Sequence, residues 1–170
     1  IFRNITDHID TGSLLVFNDT RVIRARLVFY KKSGSRIEIF CLEPLDPPSY
    51  ETSFSSNGHV EWKCIIGNLK KWKSGPLAMK FKSGESVYEL KAEKEGEEGD
   101  ARRIRFSWKP GDLSFAEVIE AAGHIPLPPY LGRDDVKEDY DRYQTVYSAV
   151  KGSVAAPTAG LHFTEGVLES

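Results

Sequence analysis

The 170 residues are 40% hydrophobic and 28% charged, an ordinary globular balance that argues against wholesale disorder and leaves room for one domain or two small ones. The longest apolar runs, at 14–17 and 27–30, fall far short of the roughly 20 residues a membrane-spanning helix needs, so a soluble chain with no membrane partner is expected. Lys plus Arg number 23 against 25 Asp plus Glu, a net charge of −2 that argues against gripping nucleic acid by overall charge but permits a local basic face.

The first predicted element is the run Leu14-Leu15-Val16-Phe17, read as a short strand buried on both faces, with Asn18-Asp19-Thr20 at its carboxyl end. From 22 to 108 the texture becomes β-type, with turn signals between segments at 22–30, 36–42, 60–66, 77–82, 87–92 and 104–108. Val60, Trp62, Cys64 and Ile66 alternate with Glu61, Lys63 and Ile65 after an Asn57-Gly58 turn, as expected of a strand with one face on a core. Six short strands at this spacing predict a small antiparallel β-barrel.

After Pro110-Gly111-Asp112 the period lengthens to that of a helix. Ser114-Phe115-Ala116-Glu117 is a capping-box pattern, Phe115, Val118, Ile119 and Ala122 share one face, and Gly123 is the expected stop. A proline-rich loop (125–130), a second helix over about 140–149 and a strand over 153–156 follow. The predicted fold is an α/β domain, contributed by 1–21 and 109–170, interrupted by an inserted six-stranded antiparallel β-barrel at 22–108. Residue 1 is Ile and the last residues resemble the start of a helix, so the sequence is read as a fragment with its α/β part incomplete.

Between 85 and 100 acids dominate, the pattern of a strand leading into a solvated hairpin tip. Two stretches are basic: Arg21, Arg24, Arg26, Lys31, Lys32 and Arg36, and then Lys63, Lys70, Lys71, Lys73, Lys80 and Lys82 around Trp62 and Trp72. Cations interleaved with aromatics suit RNA, whose phosphates take the charge and whose bases stack; the plainer account is a charged outer barrel face.

Chemistry is expected at strand ends. The segment 154–164 reads as a strand, a tight loop of small residues and a helix start, the place where open α/β sheets bind ligands through loop N–H groups. His162 there can act as base or hydrogen-bond donor, or can be a His satisfied by backbone. Asn18-Asp19-Thr20-Arg21 holds the corresponding position after the first strand: Asp can orient an amine or ribose hydroxyl and Arg can grip a carboxylate or phosphate, although Asp and Thr at a strand end also simply form turns. Tyr143 and Gln144 offer an aromatic and an amide group, but Tyr143 and Tyr147 are also spaced as one helical stripe. Neither GxGxxG nor GxxxxGK[ST] occurs. The four His have no HExxH or HxH spacing, and Cys41 and Cys64 have no CxxC partner, so no metal and a reducing cytoplasm are expected.

The segments Leu15-Val16-Phe17-Asn18-Asp19-Thr20-Arg21-Val22-Ile23, Gly123-His124-Ile125-Pro126-Leu127-Pro128-Pro129-Tyr130, Asp141-Arg142-Tyr143-Gln144-Thr145-Val146-Tyr147 and 152–164, in this order, resemble the S-adenosylmethionine:tRNA ribosyltransferase-isomerase (QueA) family. Arg24 stands where that family usually has Pro. The resemblance implies transfer and isomerisation of the ribosyl part of S-adenosylmethionine onto 7-aminomethyl-7-deazaguanine in a tRNA anticodon, giving epoxyqueuosine, adenine and methionine. It implies S-adenosylmethionine as co-substrate rather than cofactor, tRNA as partner, a monomer, and no turnover by this fragment alone. Under it His162 and Asp19 are the proton-transfer candidates. Asn18, Thr20, Arg21, Pro128, Tyr130, Arg133, Tyr143, Gln144, Thr158, Gly160 and Thr164 would bind and orient substrate, and Lys70, Lys71 and Lys73 would contact RNA. The rivals are a non-catalytic RNA-binding barrel on an α/β scaffold and a relative acting on another nucleoside.

Overall fold

A computed structural model describes residues 1–127, 133, 135–136, 138–153 and 157–170, with backbone alone at 150–153. In chain order its strands and α-helices are β1 (Thr20–Val22), β2 (Arg26–Tyr30), β3 (Arg36–Asp46), α1 (Tyr50–Ser55), β4 (His59–Gly67), β5 (Leu77–Ser83), β6 (Ser86–Glu98), β7 (Ala101–Lys109), α2 (Phe115–Ala122), α3 (Asp139–Arg142), β8 (Val150–Ser153) and α4 (Glu165–Leu168). They form two compact units, one of Arg24–Pro126 and one of Ile1–Ile23 with Leu127–Ser170.

The first of these units is an antiparallel sheet in the order β2-β3-β4-β7-β6-β5, and its edge strands β2 and β5 approach each other, so the barrel is nearly closed. Alternation built it as expected. Leu27 and Phe29, Ile37, Ile39 and Cys41, Val60, Trp62 and Cys64, Leu90 and Ala92, and Ile104, Phe106 and Trp108 are buried, while the intervening charged residues face outward. The acidic segment is a long hairpin whose tip turns at Gly99, in the left-handed region at φ 61°. Its acids are partly neutralised, Glu97 by Arg102 (3.2 Å) and Glu98 by Arg103 (2.8 Å).

Two helices pack in the barrel unit. In α2 the capping box is complete: Ser114 Oγ accepts from Glu117 N–H, and the Glu117 carboxylate accepts from Ser114 Oγ–H (2.7 Å) and from Ser114 N–H (2.8 Å), bonds that lower its pKa, the hydroxyl's most. Phe115, fully buried, stacks on Phe106 and Trp108 (ring centroids 5.7 Å each) and lies 5.4 Å from Trp62. Helix α1, which the sequence reading did not anticipate, places buried Ser53 to accept a 2.8 Å hydrogen bond from Trp62 Nε1.

Gly123 ends α2, though not through a left-handed cap. Its φ is −90°, and the glycine is needed because a Cβ would collide with the backbone carbonyls of Arg24 and Ile119. Arg24 pairs with Glu120 (3.1 Å) and donates to the Glu120 carbonyl, placing a cation at the carbonyl end of the helix. Nearby, Arg26 and His124 exchange backbone hydrogen bonds (3.1 and 2.7 Å), tying the incoming and outgoing segments of the barrel unit together.

The other unit departs further from expectation. Residues 14–17 are not a strand: Leu14 and Val16 are 88% and 86% exposed, and pairing begins only at Thr20. A strand buried on both faces needs covering layers, and no described element covers this run. The ladder that does form is β1 with β8, parallel, with Thr20 opposite Val150 and a bulge between Arg21 and Val22. The second helix stops after Arg142 instead of running to 149, so Tyr143 and Tyr147 form no helical stripe. The strand expected at 153–156 occupies Val150–Ser153, and 154–156 lie outside the described residues. Among the described residues, no helix is long and apolar enough to cross a membrane.

Candidate functional site

The loop before β1 is shaped by Asn18. Its Oδ1 accepts from Thr20 N–H (2.9 Å) and Thr20 Oγ1 (2.6 Å), an Asx turn that fixes the backbone on either side of Asp19. The Asp19 carbonyl accepts from Ala149 N–H at 2.7 Å, anchoring the loop to the segment that leads into β8, while its side chain is exposed along with that of Arg21. Gln144 uses its whole amide on one peptide: Oε1 accepts from Val22 N–H and Nε2 donates to Val22 C=O, both at 2.9 Å. It therefore acts as a strand mimic that completes the pairing of β1, a positioning role that the sequence did not reveal.

On the second loop, Gly160 N–H donates to Pro157 C=O (2.7 Å) and opens a short 3-10 turn, Gly160–His162. Gly160 is buried, and a Cβ there would collide with Tyr147 Oη and sit 2.9 Å from Thr145 Cγ2. Phe17, Tyr147 and Phe163 pack edge to face, with Phe17 5.0 Å from each of the other two rings. His162 is exposed, its ring 5.2 Å from Phe2. Thr158 is exposed, and Thr164 caps α4 by accepting from Val167 N–H (3.3 Å). The structure thus places Asn18, Asp19, Thr20, Arg21, Gln144, Thr158, Gly160, His162 and Thr164 in one compact unit. Among the described residues, no hydrogen bond or ion pair joins Asp19 and His162. Pro128 and Tyr130 lie outside the described residues.

Arg133 is held by Asp139 in a fork, Nη1 to Oδ2 at 2.6 Å and Nη2 to Oδ1 at 2.8 Å, and Val136 N–H adds 2.8 Å to the same carboxylate. The Asp139 side chain is fully buried. The Arg133 hydrogen bonds lead, with the Val136 N–H and the charges of Arg133 and Arg142, in lowering its carboxyl from 3.8 to about 2 against the effect of burial. The folded value lies below the unfolded one, so the ionised pair stabilises the fold fully above about pH 4, and that stability is lost as pH falls toward 2. Asp139→Asn is expected to flatten this acid limb when denaturant midpoints are followed from pH 5 to 2; an unchanged limb would assign it to other groups.

In the barrel unit Lys70 and Lys71 lie on a 3-10 turn after Asn68, whose φ of 59° is left-handed. Lys31 Nζ donates to Lys71 C=O (2.9 Å), joining the β2–β3 turn to the β4–β5 connection and merging the two basic stretches. Lys94 Nζ donates to the carbonyls of Trp72 (2.7 Å) and Lys73 (3.1 Å) and lies 5.1 Å from the Trp72 ring centroid. Trp62 and Trp72, 0% and 1% exposed, are core residues and cannot stack on bases; the exposed aromatic beside Lys31 is Tyr30, at 63%.

Among the described residues, no three of His, Cys, Asp and Glu gather as metal ligands. A family model described as queuosine biosynthesis protein matches residues 1–170. The chain belongs to this family. Its curated relatives named S-adenosylmethionine:tRNA ribosyltransferase-isomerase include one from Syntrophomonas wolfei, 37% identical over 168 residues that cover 99% of this chain and 43% of the relative. Another, from Syntrophotalea carbinolica, is 40% identical over 168 residues, covering 99% and 44%. A third, from Desulfotalea psychrophila, is 39% identical over 173 residues, covering 100% and 44%. The chain therefore spans less than half the length of these family members. No solved structure matches it.

Proposed function

We propose that the protein containing this chain transfers and isomerises the ribosyl part of S-adenosylmethionine onto 7-aminomethyl-7-deazaguanine in tRNA, giving epoxyqueuosine-tRNA, adenine and methionine. The observation that carries this reading is the family match over residues 1–170, together with relatives near 40% identity that bear that enzyme name. Residues 1–21 and 109–170 would belong to an α/β catalytic domain and 22–108 to an inserted barrel; the parallel β1–β8 ladder, whose two strands are separated in sequence by the whole barrel unit, supports an insertion, although 109–126, with α2, pack in the barrel unit. We place the protein in the cytoplasm, as a monomer with no metal.

The sulfonium acidifies the adjacent 5′ C–H, so a base beside it can start the elimination that releases adenine, after which the substrate amine attacks the sugar. His162 or Asp19 would move that proton. Asn18, Thr20, Arg21, Tyr143, Thr158 and Thr164 would orient the substrates, joined by Pro128 and Tyr130; Arg133 and Gln144 would contribute from the positions that Asp139 and Val22 fix. Incubating the intact protein with S-adenosylmethionine and tRNA bearing the aminomethyl base is expected to yield adenine and a nucleoside of epoxyqueuosine mass. Absence of both would sink the reading.

The merged patch around Lys31, Lys70, Lys71 and Lys73 would take the tRNA phosphates. Reversing Lys70, Lys71 and Lys73 to Glu is expected to weaken tRNA binding and to lower the slope of log affinity against log salt by roughly 2. An unchanged slope would move the RNA face elsewhere.

A further inference from the structure

Tyr30 is the last residue of β2, and because Leu27 and Phe29 point into the barrel its own side chain stands on the outer face, 63% exposed. A single exposed ring is ordinary on a protein surface, but the setting of this one is not. The other Phe, Tyr and Trp side chains of the barrel unit are buried or half-buried. Among the described residues, no hydrogen bond or ring contact engages the Tyr30 side chain. Its base is nevertheless fixed. Tyr30 lies opposite Arg36 on the last rung of the β2–β3 ladder, and the turn beyond is closed by Lys31 N–H to Ser35 C=O (3.0 Å) and Gly34 N–H to Lys31 C=O (2.8 Å).

Two bonds clamp the second basic turn against this one: Lys31 Nζ donates to Lys71 C=O (2.9 Å) and Asn68 Nδ2 to Arg36 C=O (3.1 Å). Both acceptors are neutral carbonyls, so Lys31 keeps its charge. Among the described residues, no carboxylate pairs with Lys31, Lys32, Lys70, Lys71 or Lys73, whereas Lys63 on β4 and Lys91 on β6 are paired with Glu43 and Glu89. The two joined turns therefore hold uncompensated cations beside a free aromatic face. Cations alone would suit any polyanion. A duplex offers them phosphates but keeps its base faces stacked on one another, and an acidic peptide has no flat face to offer. An unpaired nucleotide supplies both a phosphate and a base face.

We propose that Tyr30 stacks on an unpaired base of the bound RNA, so that this end of the barrel unit takes a single-stranded loop rather than a duplex. The proposal rests on the tRNA reading for its partner. It makes Tyr30 an RNA-binding residue outside the set that the sequence suggested.

The test follows binding of the intact protein to an RNA anticodon stem-loop, and to a blunt duplex of the same stem, by fluorescence anisotropy over a range of salt. Tyr30→Ala is expected to melt with the parent, to bind the stem-loop about tenfold more weakly and to bind the duplex as the parent does. Its slope of log affinity against log salt is expected to be unchanged, because stacking releases no counterion. Tyr30→Phe and Tyr30→Trp are expected to keep parental affinity. Parental stem-loop affinity in Tyr30→Ala would overturn the proposal. So would an equal loss on stem-loop and duplex, which would make the ring a support for the lysines, or a lowered salt slope, which would make it a holder of a cation. A parent that binds neither RNA would remove the RNA face along with the stacking, whereas failure to form epoxyqueuosine with stem-loop binding intact would count against the ribosyl-transfer reading alone.

Discussion

His162→Ala in the intact protein is expected to slow adenine release by about 10²- to 10⁴-fold, the usual contribution of a positioned proton-transfer group, while leaving the melting temperature essentially unchanged. The structure makes this separation clean. His162 is exposed and, among the described residues, its ring packs against Phe2, so deleting the imidazole from the surface opens no buried cavity. Asp19→Asn is the matching control, because the group of Asp19 that anchors the loop is its backbone carbonyl, bonded to Ala149 N–H, and the substitution leaves that bond in place. If His162→Ala retains a near-parental kcat and Asp19→Asn does not, the proton-transfer role passes to Asp19. If neither variant slows turnover, both lose it.

The second large effect concerns the barrel unit. Phe115→Ala is expected to lower unfolding free energy by about 3–5 kcal/mol, the range for removing a fully buried aromatic ring. Phe115 is where α2 meets the inner faces of β4 and β7, through Trp62, Phe106 and Trp108, and the flanking Phe54 ring lies 6.5 Å away. Four rings lose a partner at once, and the surrounding strands, fixed by their ladders, cannot collapse into the space. A urea titration followed by Trp fluorescence would read the change. A loss below about 1 kcal/mol would mean that the helix is peripheral to the barrel's stability.

The barrel was legible because alternation is a local signal: each strand announces its inner face within a few residues, and Ser114 and Glu117 announce α2 in the same way. The Trp62 reading shows how that signal can be overlooked. Its register with Val60 and Cys64 already placed it inside, and only its lysine neighbours suggested an RNA contact. Outside the barrel the signal fails for a physical reason. Whether the run at 14–17 becomes a buried strand depends on partners that the run does not encode, and Gln144 reads as a ligand-facing amide until Val22, 122 residues away, takes both its bonds. The loops bearing Asp19 and His162 were found by motif, and their geometry comes from a local Asx turn together with a strand mimic and a ring cluster that depend on long-range contacts.

The Arg26–His124 exchange of backbone hydrogen bonds has a consequence for how the chain assembles. Strands β1 and β8 are adjacent in the ladder yet lie on opposite sides of the barrel segment in sequence, so pairing them from an unfolded chain means closing a very long loop. Once the barrel unit has formed, its two ends emerge side by side at this backbone clasp, and the stretch still to be closed shortens several-fold, a saving of about 1 kcal/mol in chain entropy. The clasp therefore favours an order of events in which the barrel unit forms first and the β1–β8 ladder, with its two strand-end loops, closes afterwards. The machinery proposed to handle the nucleoside would be the last part of the chain to take shape.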